Sequence, residues 1–171
     1  MKRSLKLSIV QQAGFTLIEI LVALAITSIL TAGATAIVSQ TFNENVRASQ
    51  NMEAIQQVEN AGYWVNHDVM MAQNVMPGAG SGFPLTMTWI DWQGNENQVI
   101  YTLMDAALQR SFSVNGGLPE ETTVAQRIDC DSTATNCQFA SGMLTFNVTA
   151  TVGTRSESRT YQIKIRPDSA P

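Results

Sequence analysis

A single carboxylate, Glu19, stands in the otherwise uncharged run FTLIEILVALAITSILTAGATAIV from Phe15 to Val38, four residues beyond a Gly14–Phe15 junction. In lipid such a group costs up to about 3 kcal/mol even on lenient insertion scales, so it calls for a counter-charge. Cleavage between Gly14 and Phe15 would supply one, a new α-amino group at Phe15. Glu19 would then sit in the first turn of a helix, where the macrodipole favours negative charge. The amine of one copy meeting the Glu19 carboxylate of a neighbour would compensate two charges that are each costly in lipid.

Other residues invite chemistry less strongly. A carboxylate can orient an imidazole for proton transfer, which draws attention to His67 and Asp68. Adjacent helical residues point about 100° apart, however, so the pair is expected to be exposed polar side chains or caps for a neighbouring loop. Asp129 and Asp131 flank Cys130, and loop carboxylates can bind calcium, but the spacing is not that of an EF-hand. They are taken as solvated loop acids, and neither a metal site nor a cofactor is expected. Cys130 and Cys137 share one polar loop, DCDSTATNC, while the only histidine, His67, is far away in sequence. Two thiols cannot complete a four-ligand zinc site alone; the expectation is a local disulfide in an oxidising compartment, the alternative a pair of free thiols. A nucleophile elbow, a P-loop and a dinucleotide fingerprint are all missing from the sequence, so an enzyme is not expected.

These residues need elements to position them. A helix over 15–38 would be about 36 Å long, enough to cross a hydrocarbon core of about 30 Å. Lys2, Arg3 and Lys6 precede it, and the next basic residue is Arg47, so the amino end is expected in the cytoplasm and the body outside. An ordinary signal peptide cut near the AGATA of Ala32–Ala36 and a plain signal anchor are the competing readings, and neither accounts for Glu19. Without the three leading cations, seven basic residues face fourteen acidic ones in a chain of 171 residues, which argues against nucleic acid as a partner. The 44% hydrophobic content suffices for a core. Phe42, Val46, Met52, Ile55, Val58, Gly62, Val65, Val69 and Ala72 recur mostly three or four apart, predicting that the helix continues, half-buried, to about Asn74 before Pro77 and the glycines of PGAGSGFP. Phe15–Val38 holds no proline, and Gly33 is the one residue there that would loosen the helix locally.

The amino-terminal stretch AGFTLIEILVALAI resembles the signal of type IV pilins and of the pseudopilins of type II secretion. In that family a short basic leader is followed by Gly before the cut, Phe after it, Glu at the fifth mature position and a uniform apolar helix. The resemblance implies removal of residues 1–14 by a membrane-embedded prepilin peptidase, N-methylation of Phe15 by the same enzyme, and a docking role for Glu19. It also implies other pilin or pseudopilin subunits as partners, together with an assembly ATPase and a platform protein, and lipid as the surroundings before assembly. The implied fold is α+β and pilin-like: a helix that is membrane-spanning over 15–38 and amphipathic over 39–76, packed on a mainly antiparallel sheet within 77–171.

The sheet is legible in period-two stretches. LTMTWIDW and QVIYTL predict a hairpin about GNEN, LQRSFSV a further strand, and LTFNVTATV with RTYQIKI two terminal strands about GTRSES, for four to six strands in all. Trp89 is expected between helix and sheet. The Asn147-Val148-Thr149 sequon lies inside a predicted strand and carries no claim. The order ENAGYWVNHDVMMAQ, VIYTL, LQR and VAQRI is similar to J-type minor pseudopilins and W-type minor pilins. The cysteines support a minor subunit, since they precede the last two strands, whereas major pilins usually close their disulfide at the extreme carboxyl end. The rival reading is an anchored extracellular binding module that enters no filament.

Overall fold

The computed structural model describes residues 14–165; Lys2, Arg3 and Lys6 of the leader lie outside the described residues. One helix, α1 (Leu17–Met71), is followed by eight strands, β1 (Asn74–Met76), β2 (Leu85–Ile90), β3 (Glu96–Met104), β4 (Ala107–Val114), β5 (Glu120–Gln126), β6 (Asn136–Ala140), β7 (Met143–Val152) and β8 (Arg155–Lys164). The chain divides into two compact units between Glu44 and Asn45.

In the first unit every described residue is exposed. Its helix is long and apolar enough to cross a membrane. The hydroxyls of this stretch are satisfied by the helix itself: Thr27 donates to the Ala23 carbonyl (2.8 Å), Thr31 to Thr27 (2.7 Å), Thr35 to Thr31 (2.8 Å) and Ser39 to Thr35 (3.0 Å). Polar side chains closed onto their own backbone leave no donor stranded in hydrocarbon. The helix continues unbroken through Gly33.

In the second unit the carboxyl-terminal half of α1 buries Ala54, Val58, Ala61, Gly62, Val65, Asp68 and Val69, a face repeating every three or four residues. The expected stripe is thereby corrected at its start. Phe42, Val46 and Met52 are exposed, and the small side chains of Ala54 and Ala61 lie in the core. Small residues are needed because the helix lies close on the strands. A Cβ at Gly62 would overlap the Tyr161 ring, and the Tyr161 hydroxyl donates to the Val58 carbonyl at 3.2 Å. The helix stops at Met71, ahead of Pro77, because the next residues pair with β2. The Gln73 amide donates to the Thr88 carbonyl at 2.9 Å, and Asn74 stands opposite Thr88.

The architecture is α+β as expected, a long amino-terminal helix packed on antiparallel sheet, with the sheet divided in two. The strand order is β1-β2-β3-β4-β5 in one and β6-β7-β8 in the other. The segment between them joins the two: Ile128 bridges Ala150, and the Asp129 amide donates to the Thr149 carbonyl at 2.9 Å. The inward face of β7 is formed by Leu144, Phe146, Val148, Ala150 and Val152, strict alternation as the period of a strand requires. The first four of these, together with Tyr101, Leu85, Met87, Val99 and the helix valines, form one core. GTRSES is a turn only at its start, since β8 already begins at Arg155.

Candidate functional site

The residues flanking the predicted cut are the first candidate. Thr16 precedes the helix, and its amide and hydroxyl both donate to Glu19 Oε2, at 3.0 and 2.9 Å. The Glu19 amide returns a bond to Thr16 Oγ1 at 3.4 Å. This reciprocal arrangement is a capping box, satisfying two of the four amides that every helix start leaves unpaired. The T-x-x-E spacing of Thr16 and Glu19 is the sequence signal of this box. Glu19 therefore has hydrogen-bond partners inside its own chain, and its carboxylate is held in the first turn, with Phe15, 85% exposed, four residues before it. Among the described residues nothing lies within 4 Å of a Cβ added at Gly14.

The second candidate is a charged cluster that the sequence reading missed. Asp68 is 1% exposed, although it was expected to be a solvated polar residue. Its Oδ2 accepts from the Tyr101 hydroxyl at 2.5 Å and from Arg110 Nε at 2.7 Å, and its Oδ1 accepts from Arg110 Nη2 at 3.0 Å. The Arg110 guanidinium lies 5.1 Å from the Trp64 ring and 5.2 Å from the Phe112 ring. Trp89, half-buried as part of the helix-sheet layer, stacks on Phe112. Burial, followed by the adjacent Asp68 carboxylate, pushes the Tyr101 phenol far above its ordinary range. For Arg110 desolvation acts downward, but the Asp68 hydrogen bonds and charge prevail and raise it. A buried fork of this kind ties α1 to β3 and β4 with all partners satisfied, and it leaves no group poised for proton transfer. His67 Nδ1 lies 3.3 Å from Asp68 Oδ1, a contact the adjacency argument did not foresee. The signal was present: position 68 continues the apolar series 58, 61, 65, so a carboxylate there had to be buried and paired.

The loop candidates resolve into turn chemistry. Asp129 accepts from the Asp131 amide at 3.0 Å, and Asp131 accepts from the Thr133 amide and hydroxyl at 2.8 and 2.7 Å, which lowers the Asp131 carboxyl below its ordinary value. Among the described residues no group of three or more His, Cys, Asp or Glu is placed to hold a metal ion. Cys130 and Cys137 are free thiols in the structure, so the expected disulfide is not formed here. Cys137 is buried in β6, its Sγ 3.0 Å from the Gly82 carbonyl, whereas Cys130 is exposed. Burial pushes the Cys137 thiol up to about 12.

Residues 10–35 match the family model of the prokaryotic N-terminal methylation motif. The match takes in Gly14, Phe15 and Glu19 and the start of the apolar helix. It supports a prepilin-processed, type IV pilin-like subunit, and with the apolar helix it supports a membrane-anchored protein. No curated protein and no solved structure matches the chain.

Proposed function

We propose that this chain is a structural subunit of a type IV pilus or of a type II secretion-like filament, and not an enzyme. The observation that carries the reading is the Gly14–Phe15 junction followed by a capped Glu19 at the head of an exposed apolar helix, inside the methylation motif. The subunit waits in the cytoplasmic membrane with its body extracytoplasmic. After removal of residues 1–14 and methylation of Phe15, its helix exchanges lipid for a bundle of like helices. There the Phe15 amine of one subunit meets Glu19 of another. The partners of that process are sibling subunits, the prepilin peptidase and, indirectly, a platform protein and an ATPase. The order of landmarks in the body favours a minor pilin or pseudopilin.

The test is co-expression with a prepilin peptidase, followed by intact mass and amino-terminal sequencing. A mature chain starting at N-methyl-Phe15 is expected; an end near residue 35, or an uncut leader, overturns the reading. Glu19→Ala should be cleaved like the parent yet enter filaments poorly, and equal incorporation would remove the docking role.

A further inference from the structure

One end of the five-stranded sheet holds large apolar side chains out in solvent. Trp92 is 89% exposed, Leu118 98% and Ile90 59%. The register places them together: Ile90 stands opposite Glu96, Asn97 opposite Val114, and Phe112 opposite Glu120, so the β2–β3 turn and the β4–β5 loop share one end of the sheet. The Ile90 amide donates to the Gln73 side chain at 3.0 Å, which places this end where α1 finishes. The opposite end of the unit is marked by Gln50, whose side chain lies against Gly153 in the β7–β8 turn.

The connections that carry these side chains are braced by hydrogen bonds. Asp91 Oδ1 accepts from the amides of Gln93 and Asn95, both at 2.9 Å. Asn115 then joins the two connections, donating to Asn95 Oδ1 at 3.0 Å and accepting from the Glu96 amide at 2.8 Å. Exposed tryptophan and leucine on a prefolded support lose little ordering entropy on binding, which is the property of a contact anchor.

The charge around them selects the partner. Residues 90–97 and 113–122 carry four carboxylates, Asp91, Glu96, Glu120 and Glu121, and neither lysine nor arginine. An acidic collar repels anionic lipid headgroups and nucleic acid. It complements an apolar cleft framed by cations, since surfaces that meet are matched in sign. A second copy of this chain fits poorly. Its groove between α1 and β8, lined in part by Gly62, Tyr63, Tyr161 and Ile163, has Arg159 at its margin. That cation is already engaged by Glu59 at 3.2 Å and Glu157 at 4.0 Å.

We propose that the Ile90–Trp92–Leu118 tip docks into an apolar, cation-framed cleft on the outer domain of a different prepilin-processed subunit. The partner class rests on the filament reading above; the surface and its chemistry do not.

The experiment uses the full chain, expressed in membranes with a prepilin peptidase and the sibling prepilin-type chains of its host. A photoreactive benzoylphenylalanine replaces Trp92 in one preparation and Arg155, at the opposite end of the unit, in another. The expected result is an adduct from position 92, and not from 155, to a chain whose own first residue is N-methylated, at a site flanked by lysine or arginine. With the probe moved to Gln93, Trp92→Ser together with Leu118→Ser should lower adduct yield by about tenfold, a loss of about 1.4 kcal/mol. Circular dichroism and thermal unfolding of that double variant should match the parent, because both side chains are exposed. Adducts to a second copy, to lipid or to an unrelated protein, or no adduct at all, overturn the proposal. Amino-terminal sequencing of the same sample separates the two ideas: N-methyl-Phe15 without a sibling adduct sinks the docking surface alone, and a sibling adduct on an uncut chain sinks the filament reading alone.

Discussion

Asp68 occupies a helix position where the packing pattern asks for an apolar side chain, and its cost is offset only while Arg110 and Tyr101 remain in place. Removing one partner of a buried ion pair typically costs about 3–5 kcal/mol, because the other charge is left without compensation. Asp68→Asn should therefore lower the denaturant midpoint of the second unit strongly. Asp68→Leu combined with Arg110→Met should cost less than the sum of the two single changes. Additive losses in that cycle would mean that the fork contributes no coupling. Tyr101 adds a pH signature. Its folded pKa is raised above the unfolded value of about 10, so its contribution is fully present below pH 10 and is lost as pH rises from there toward the folded value. Unfolding curves between pH 9 and 11 should show the parent losing stability above pH 10. Tyr101→Phe should start weaker, by about 1.5–3 kcal/mol for a hydrogen bond to a charged group, and lose less over the same range. The cysteines give a simpler readout in the reduced chain. A thiol raised to about 12 by burial carries almost no thiolate at pH 8, so iodoacetamide should modify Cys130 and leave Cys137 until the protein unfolds. Mass spectrometry of the native chain showing both modified at equal rates would contradict the burial of Cys137.

At the scale of elements, the seating of α1 on β8 depends on Gly62. Alanine favours a helix over glycine by about 1 kcal/mol, which alone would make Gly62→Ala stabilising. Here the added Cβ would overlap the Tyr161 ring, and the ring can yield only by giving up its bond to the Val58 carbonyl. Overpacking of this kind costs about 1–3 kcal/mol, so the net change should be destabilising. In a Tyr161→Ala background the same substitution should become neutral or favourable, a reversal of sign that thermal melts can detect. The apolar stripe was visible in sequence because helical period is a local property; which of its members face the sheet was not. Phe42 and Met52 fit the period as well as Val58 does, and only the position of the strands, which begin to cover the helix near Gln50, decides among them. Strands β2, β3 and β7 alternate and were legible, while β4 and β8 were read from weaker patterns. By contrast β5 carries its two buried residues, Val124 and Ala125, side by side across a register shift at Leu108/Gln109, so no period-two signal exists to read. The three residues of β1 are too few to carry a period, and they form a strand only because β2 is beside them.

On the scale of the whole molecule the chain carries two kinds of apolar surface, and they lie on opposite sides of the boundary at Glu44/Asn45. Before it, every described side chain is exposed, including Leu17, Ile18, Leu21, Leu24 and Ile29. Beyond it, the buried set starts at Ala54 and closes on itself as a single cluster. The presence of both was legible in sequence. The division of the strands into two sheets was not, since it depends on residues 127–129 reaching β7 about twenty positions later, and no local pattern announces that pairing. A consequence follows for a truncated chain of residues 45–171. Among the described residues it retains every buried one, the Asp68 fork, both sheets and the contacts of Gln50 with the β7–β8 turn, and those it sheds, 14–44, are all exposed. It should be a soluble monomer without detergent, and its melting temperature should lie within about 4 °C of that of the second unit in the full chain, the shift expected of a change of about 1 kcal/mol. The residues before Ala54 should exchange their amide hydrogens fastest, because one helix edge without a covering layer frays first. Size-exclusion chromatography, circular dichroism melts and hydrogen exchange test these points together. Aggregation, or a melt lowered by ten degrees or more, would mean that the exposed half of α1 supports the body, and the two units would then have to be treated as one.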